Sequence, residues 1–252
     1  MEEAVKEGKY IYCIIETAVA KTFGSIGIGG RGDELYTVCF NDIAAVVSNS
    51  PITRYKVSRE NTLAHEKAIE EVMKEYTVLP VRFATITEDE EKVKKILEKE
   101  YGKFKDLLIK MKDKKELGLR AIFNEDVIYK DILEKYKEIR MLKEKVAALP
   151  SEKTYFKRAE IGQMVEDALQ KEKDICKKDI LNTLSALATE VKINNSYYDL
   201  MVMNAAFLVE KSKEAEFDQK VDEFGAKYSS NIKFKYIGEV PPFNFVNLVI
   251  ET

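Results

Sequence analysis

Gly27-Ile-Gly-Gly-Arg-Gly32 matches, by letters, the G-x-G-x-x-G pattern that cradles a dinucleotide pyrophosphate. That chemistry needs a strand before the glycines and a helix opening on them, so that backbone N–H groups meet the phosphates. The residues that follow, Leu35-Tyr-Thr-Val-Cys-Phe40, have β character and no helical period. The five glycines of Thr22–Asp33 are therefore read as a loop that needs positive φ angles. A phosphate-binding enzyme or ligand sensor built on the Gly24–Gly32 loop is the competing reading. His65 is the sole histidine, and no second histidine stands four residues on, as a zinc-protease helix would require. With no cysteine or carboxylate at ligand spacing, it is read as a partly exposed helix residue, with a general-base role as the alternative. Cys13, Cys39 and Cys176 lie far apart and are odd in number, which gives neither a disulfide framework nor a zinc motif. No nucleophile elbow, phosphate loop or Cys–His pair occurs. The expectation is no catalytic residue, no metal and no cofactor.

Two other stretches carry the chemistry of recognition. Leu79-Pro-Val-Arg-Phe83 sets one arginine inside an apolar β-like run, in a chain whose 41 basic residues include only seven arginines. Arg82 is read either as an internal fork to a carbonyl or carboxylate, or as a buried interface anchor. The second stretch is the tail, Gly238-Glu-Val-Pro-Pro-Phe-Asn-Phe-Val246. Adjacent prolines fix φ twice and remove two donors, so they stop a sheet ladder abruptly. The chain nevertheless stays apolar through Phe243, Phe245, Val246, Leu248, Val249 and Ile250. Such a tail is placed against something, its own core or a partner, at about 1.5–3 kcal/mol per buried side chain.

The elements that must position these residues follow from composition and period. The 252 residues suffice for two domains, and 45% hydrophobic residues can build their cores. The 34% charged fraction points to long solvated helix faces. A net charge of −3 argues against nucleic acid as a partner. The charged N-terminus lacks a signal-peptide core and no apolar run reaches membrane-spanning length, so no membrane is expected and the compartment is read as the cytoplasm.

Strands are expected at Tyr10–Ile15, Leu35–Phe40 and Ala44–Val47, the last two as a hairpin. A helix capped by Ser58 or Asn61 runs to about Tyr76, then Val78–Ile86 is β-like and interrupted by Pro80. Asp89–Met111 reads as one amphipathic helix and Glu125–Leu149 as another, the latter connecting the two halves and ending at a Pro150-Ser151 corner. Leu117–Phe123 is a strand after a turn at Gly118. The remainder reads as a helical region over Tyr155–Val191, a strand over Tyr198–Glu210, a helix over Lys213–Tyr228 with Phe217, Val221 and Phe224 inward, and a strand over Ile232–Ile237. This order predicts an α+β protein in which each half has the makings of a ferredoxin-like split β-α-β. The domains are set at 1–124, ferredoxin-like, and 125–252, α+β with long helices and an extended C-terminal tail.

Several motifs, in order along nearly the whole chain, resemble the gas vesicle protein F/L family (GvpF/GvpL). They are Tyr10-Ile-Tyr12, Ile43-Ala-Ala-Val-Val47, Leu79-Pro-Val-Arg-Phe-Ala-Thr85, Glu116-Leu-Gly118, Asn204-Ala-Ala-Phe-Leu-Val209 and Pro241-Pro-Phe-Asn-Phe-Val246. Ala84 stands where the family usually has Gly, Phe243 where Tyr is common, and Glu239-Val240 where Pro-Trp is typical. The resemblance implies two α+β domains and a non-enzymatic role in building gas vesicles, in the cytoplasm and associated with them. It implies as partners the very hydrophobic major shell protein, GvpA, and other accessory proteins. Arg82, Phe83, Phe243, Phe245 and Val246 are the candidate contacts. A scaffold that docks accessory proteins on its charged helices is the alternative within that role.

Overall fold

The computed structural model describes residues 6–150 and 154–250. They form two compact units, one running to Glu116 and resuming at Glu239, the other Leu117–Gly238. The tail thus belongs to the first unit, where a division at 124/125 had put it in the second half.

In the first unit the sheet holds β1 (Glu7–Glu16), β2 (Tyr36–Phe40), β3 (Ile43–Pro51), β4 (Val78–Pro80) and β5 (Ile86–Thr87), in the order β2-β3-β1-β4 with β5 also on β1. All the pairings are antiparallel. This is the ferredoxin-like order, except that the crossover from β1 to β2 is the glycine-rich loop instead of a helix. The β2–β3 hairpin forms as expected, and Asn41 turns it with φ +52°. Tyr10 to Ile15 are buried without a break because helices cover the sheet on both sides. On one side α1 (Arg59–Met73), capped by the Ser58 side chain on the Asn61 N–H, sets Ala68, Ile69 and Val72 against Tyr10, Tyr12, Cys13 and Ile15. A register shift between Ile11 and Cys13 lets the neighbours Tyr12 and Cys13 both join that cluster. The other helices are α2 (Glu90–Lys99) and α3 (Tyr101–Met111), with Val93, Leu97, Phe104 and Leu108 buried.

The single helix expected over 89–111 is therefore two. Glu100 leaves helical geometry at φ −102°, ψ 11°, and the Tyr101 hydroxyl donates to Asp42 in the β2–β3 turn. The break preserves the phase of the apolar stripe, so periodicity could not show it.

The second unit repeats the strand order with different helices. Its sheet runs β7 (Ala188–Ile193), β8 (Met201–Glu210), β6 (Lys114–Phe123), β9 (Ile232–Val240), and its helices are α4 (Glu125–Lys135), α5 (Lys137–Ala147), α6 (Tyr155–Leu184) and α7 (Glu214–Lys227). Leu117, Leu119, Ala121 and Phe123 alternate into a core with Phe207, Phe217, Val221 and Phe224. Gly118, expected to turn, lies inside β6.

The expected connector helix 125–149 is instead two core helices, with Ile128, Ile132 and Ile139 in that core. Unbroken it would be about 37 Å long. Tyr136 breaks it at φ −98°, ψ 83°, and its hydroxyl donates to Glu172 of α6 at 2.7 Å, so α4 and α5 both pack on α6. The helical region expected to Val191 ends at Leu184, and the last residues form the edge strand β7. Ser151 of the predicted corner lies outside the described residues. No helix among the described residues is long and apolar enough to cross a membrane.

Candidate functional site

The edge of the first sheet breaks at the lone arginine rather than at Pro80. Pro80 sits in β4 opposite Cys13, an edge position where its missing N–H leaves no ladder bond unmade. Val81 still donates to the Tyr12 carbonyl at 2.9 Å, and Ile11 donates to Thr85 at 2.9 Å, so Arg82-Phe-Ala84 bulges out between two paired positions. Ala84 has φ +62°, a left-handed conformation that disfavours a Cβ. The Thr85 hydroxyl donates to the Arg82 carbonyl at 2.7 Å and closes the bulge. Arg82 is exposed, and its guanidinium has no hydrogen-bond or ion-pair partner among the described residues. Neither the internal fork nor the buried anchor describes it, because the bulge turns the side chain out of the apolar run that surrounds it in sequence.

Beneath the bulge lies a polar chain that sequence reasoning missed. His65, expected on a partly exposed face, is only 3% exposed. Its Nε2 lies 3.1 Å from the Val81 carbonyl, which can only accept, so Nε2 carries the proton. Nδ1 then accepts from the Tyr10 hydroxyl at 3.1 Å, and that hydroxyl accepts from the Ala84 N–H at 2.8 Å. Burial pushes the imidazole down to about 4, with the Val81 carbonyl pulling weakly the other way. The ring is boxed by aromatics: Tyr12 stacked at 5.7 Å, Phe83 edge-on at 5.8 Å and Phe243 at 6.2 Å.

The tail closes over this box. Pro241 and Pro242 are buried, and a tight turn follows in which Phe245 and Val246 donate to the Pro242 carbonyl at 3.1 and 2.9 Å. The carboxylate of buried Glu116 accepts from the Asn244 backbone N–H at 3.0 Å and from its Nδ2 at 2.5 Å. Desolvation raises the Glu116 pKa, and the two Asn244 bonds oppose that shift. Beyond the turn, Leu248 bridges Val81 in parallel and covers the outer edge of β4. Phe245 and Val246 are buried, so they are not open to a partner. Phe243 stays 40% exposed above His65. Of the five candidate residues, the fold thus leaves Arg82 and Phe243 on the surface, with Phe83 half-buried beside them.

The glycine-rich loop is a separate structure. Gly24, Gly29, Gly30 and Gly32 all have positive φ, and the loop leads into the strand β2 and not into an α-helix that opens on the glycines. Arg31 pairs with Glu7 and Asp33. Among the described residues no group of three or more His, Cys, Asp or Glu could hold a metal ion.

A family model described as gas vesicle synthesis protein GvpL/GvpF matches residues 8–247. The chain belongs to that family. GvpL/GvpF membership implies a role in gas vesicle formation, and the family is one of gas vesicle structural and accessory proteins. Gas vesicle protein F of Nostoc sp. strain PCC 7120 is 22% identical over 249 residues, spanning 97% of this chain and 100% of that one. The crystal structure of GvpF from Anabaena sp. PCC7120 superposes with a TM-score of 0.81 at 22% identity, over 96% of this chain and 99% of that one. GvpF from Microcystis aeruginosa gives 0.77 at 22%, over 97% and 100%. At these identities the likeness is one of fold.

In this GvpL/GvpF chain four of the six motifs that carried the resemblance meet at one place, while Asn204–Val209 lies in β8 of the second unit. Tyr10-Ile-Tyr12 supplies the buried hydroxyls, Leu79–Thr85 the bulge, Glu116 the latch, and Pro241–Val246 the tail. The signal that could have found the latch was Glu116 itself, an acid at the point where a lysine-rich turn becomes an alternating apolar strand.

Proposed function

We propose that the chain is a non-enzymatic gas vesicle assembly protein that binds the hydrophobic major shell protein, GvpA. Arg82, Phe83 and Phe243 form the contact surface, and Phe245 and Val246 hold it in place from inside. The observation that supports this reading is Phe243, exposed yet fixed by a tail whose neighbours on both sides are buried or hydrogen-bonded. A rigid exposed aromatic beside an unpaired arginine is the composition of an interface hot spot. A shell subunit with one gas-facing apolar surface would aggregate before assembly. Covering that surface with a soluble partner whose helices are highly charged keeps the complex dispersed. The protein works in the cytoplasm, on or beside the vesicle, with other accessory proteins.

The test is co-expression with GvpA of the same operon and capture through a tag on this chain. Arg82→Ala/Phe243→Ala is expected to lose at least tenfold of the captured GvpA while far-UV circular dichroism and a cooperative melt show the chain still folded, since Arg82 is exposed and Phe243 only partly covered. Equal capture by the variant and by wild type would sink the assignment of this surface. Absence of capture by wild type would sink direct binding.

A further inference from the structure

The second unit presents an apolar groove and, next to it, side chains that no part of the unit covers. Leu133 of α4, Val146 and Ala147 of α5, and Ile161 and Val165 of α6 line a groove of about 450 Å³. Lys143 and Arg158 stand at the same groove, and neither has an ion-pair partner among the described residues. The first six residues of α6, Tyr155–Glu160, are all exposed. Two of them are large aromatics, Tyr155 at 74% and Phe156 at 85% exposure, packed edge to face at 5.5 Å. Helical segments draw most of their stability from packing one face, yet this end is solvated on every side.

We infer that the covering surface is the same surface of a second copy of this chain. In a two-fold, self-complementary contact each copy must offer both knob and hole within one patch. That condition is met here, because the exposed aromatics lie within two turns of the groove wall at Arg158 and Ile161 on the same helix. The groove volume accommodates a phenylalanine ring with room for a second side chain. Charge matches as well. Glu160 sits one turn after Phe156 on the same face, is exposed, and has no ion-pair partner among the described residues. With Phe156 seated in the partner's groove, Glu160 reaches that groove's Lys143 and Arg158. The interface pairs an apolar knob with a polar rim, the usual anatomy of a protein–protein contact. It uses no residue of the proposed shell-protein surface, so the two assignments stand or fall separately.

The test is sedimentation of the full chain across a concentration series from 1 to 500 μM (about the range a small interface needs). Wild type is expected to pass from monomer to dimer within that range. Phe156→Asp, at a position too exposed to affect folding, is expected to raise the dimer dissociation constant at least tenfold. Lys143→Glu and Glu160→Lys are each expected to weaken the dimer several-fold, and the double variant to recover most of that loss. Circular dichroism of every variant controls for folding. A wild-type chain that stays monomeric throughout, or a dimer indifferent to Phe156→Asp, overturns the inference. Single charge variants that weaken the dimer without mutual rescue would also overturn it, since Glu160 would then not face Lys143 or Arg158.

Discussion

Acidification should loosen the first unit through His65, by an amount that burial of the imidazole sets. The folded state holds this imidazole neutral with a pKa of about 4, against an ordinary value of 6.5 in the unfolded chain. Between those values the unfolded state binds more protons, so stability falls as pH falls through that window and is fully present above it. At pH 5 the unfolded form is favoured by a factor of about 20 relative to pH 7, a loss of about 2 kcal/mol. Glu66 and Glu116 act in the opposite direction, since burial raises both above their ordinary values and their native protons are held more tightly as pH falls. They act equally in a His65→Gln variant, whose amide can still donate to Val81 and accept from Tyr10. The difference between the two proteins therefore isolates the histidine. With no tryptophan in the chain, urea unfolding is followed by far-UV circular dichroism. For a slope of about 2–3 kcal/mol per molar, the wild-type midpoint should drop by about 0.7–1 M more than the variant's between pH 7 and pH 5. The sole imidazole can also be titrated directly by NMR in the native protein. A resonance that titrates near 6.5, or equal midpoint shifts in the two proteins, would refute the buried-box geometry. Protonation of the native protein also removes the acceptor for Tyr10 and places a charge between Phe83 and Phe243, so binding through that surface should weaken as pH falls toward about 4, below the window in which stability is lost.

Other perturbations read out the latch and the bulge. Asn244→Ala leaves the Glu116 carboxylate buried with both its Asn244 side-chain bond and its positioning lost, and should cost about 1–3 kcal/mol. The loss should show as faster proteolytic removal of the tail, and unchanged cleavage would mean the latch holds nothing. Ala84→Gly relieves a left-handed residue and should be neutral to about 1 kcal/mol stabilising in a thermal melt, whereas a loss above 1 kcal/mol would contradict the φ of +62°. Gly8→Ala would drive a Cβ into the Thr87 carbonyl and Ile52, so it should destabilise by about 1–3 kcal/mol despite its position near the strand end. Phe245→Ala, at the buried anchor, should cost up to about 3 kcal/mol, limited by how far the tail can undock on its own.

Sequence by itself determined the elements that depend on local chemistry. Alternation and apolar runs placed β1, β2, β3, β8 and β9, and spacing put Phe217, Val221 and Phe224 on the inner face of α7. Ser58 announced its helix because a cap is a contact over three residues. The glycines announced a loop because only φ decides that. Tertiary structure alone decided what depends on distant partners. Helix breaks at Glu100 and Tyr136 leave the stripe in phase and exist because Tyr101 and Tyr136 bond to Asp42 and Glu172, 59 and 36 residues away. His65 is buried because Tyr10, Val81 and Phe243 converge on it, and no local pattern encodes that convergence. The fate of the tail was decided the same way. Its composition showed that it must bury against something, while Glu116, 128 residues earlier, determined that most of it buries at home and that Phe243 is left outside.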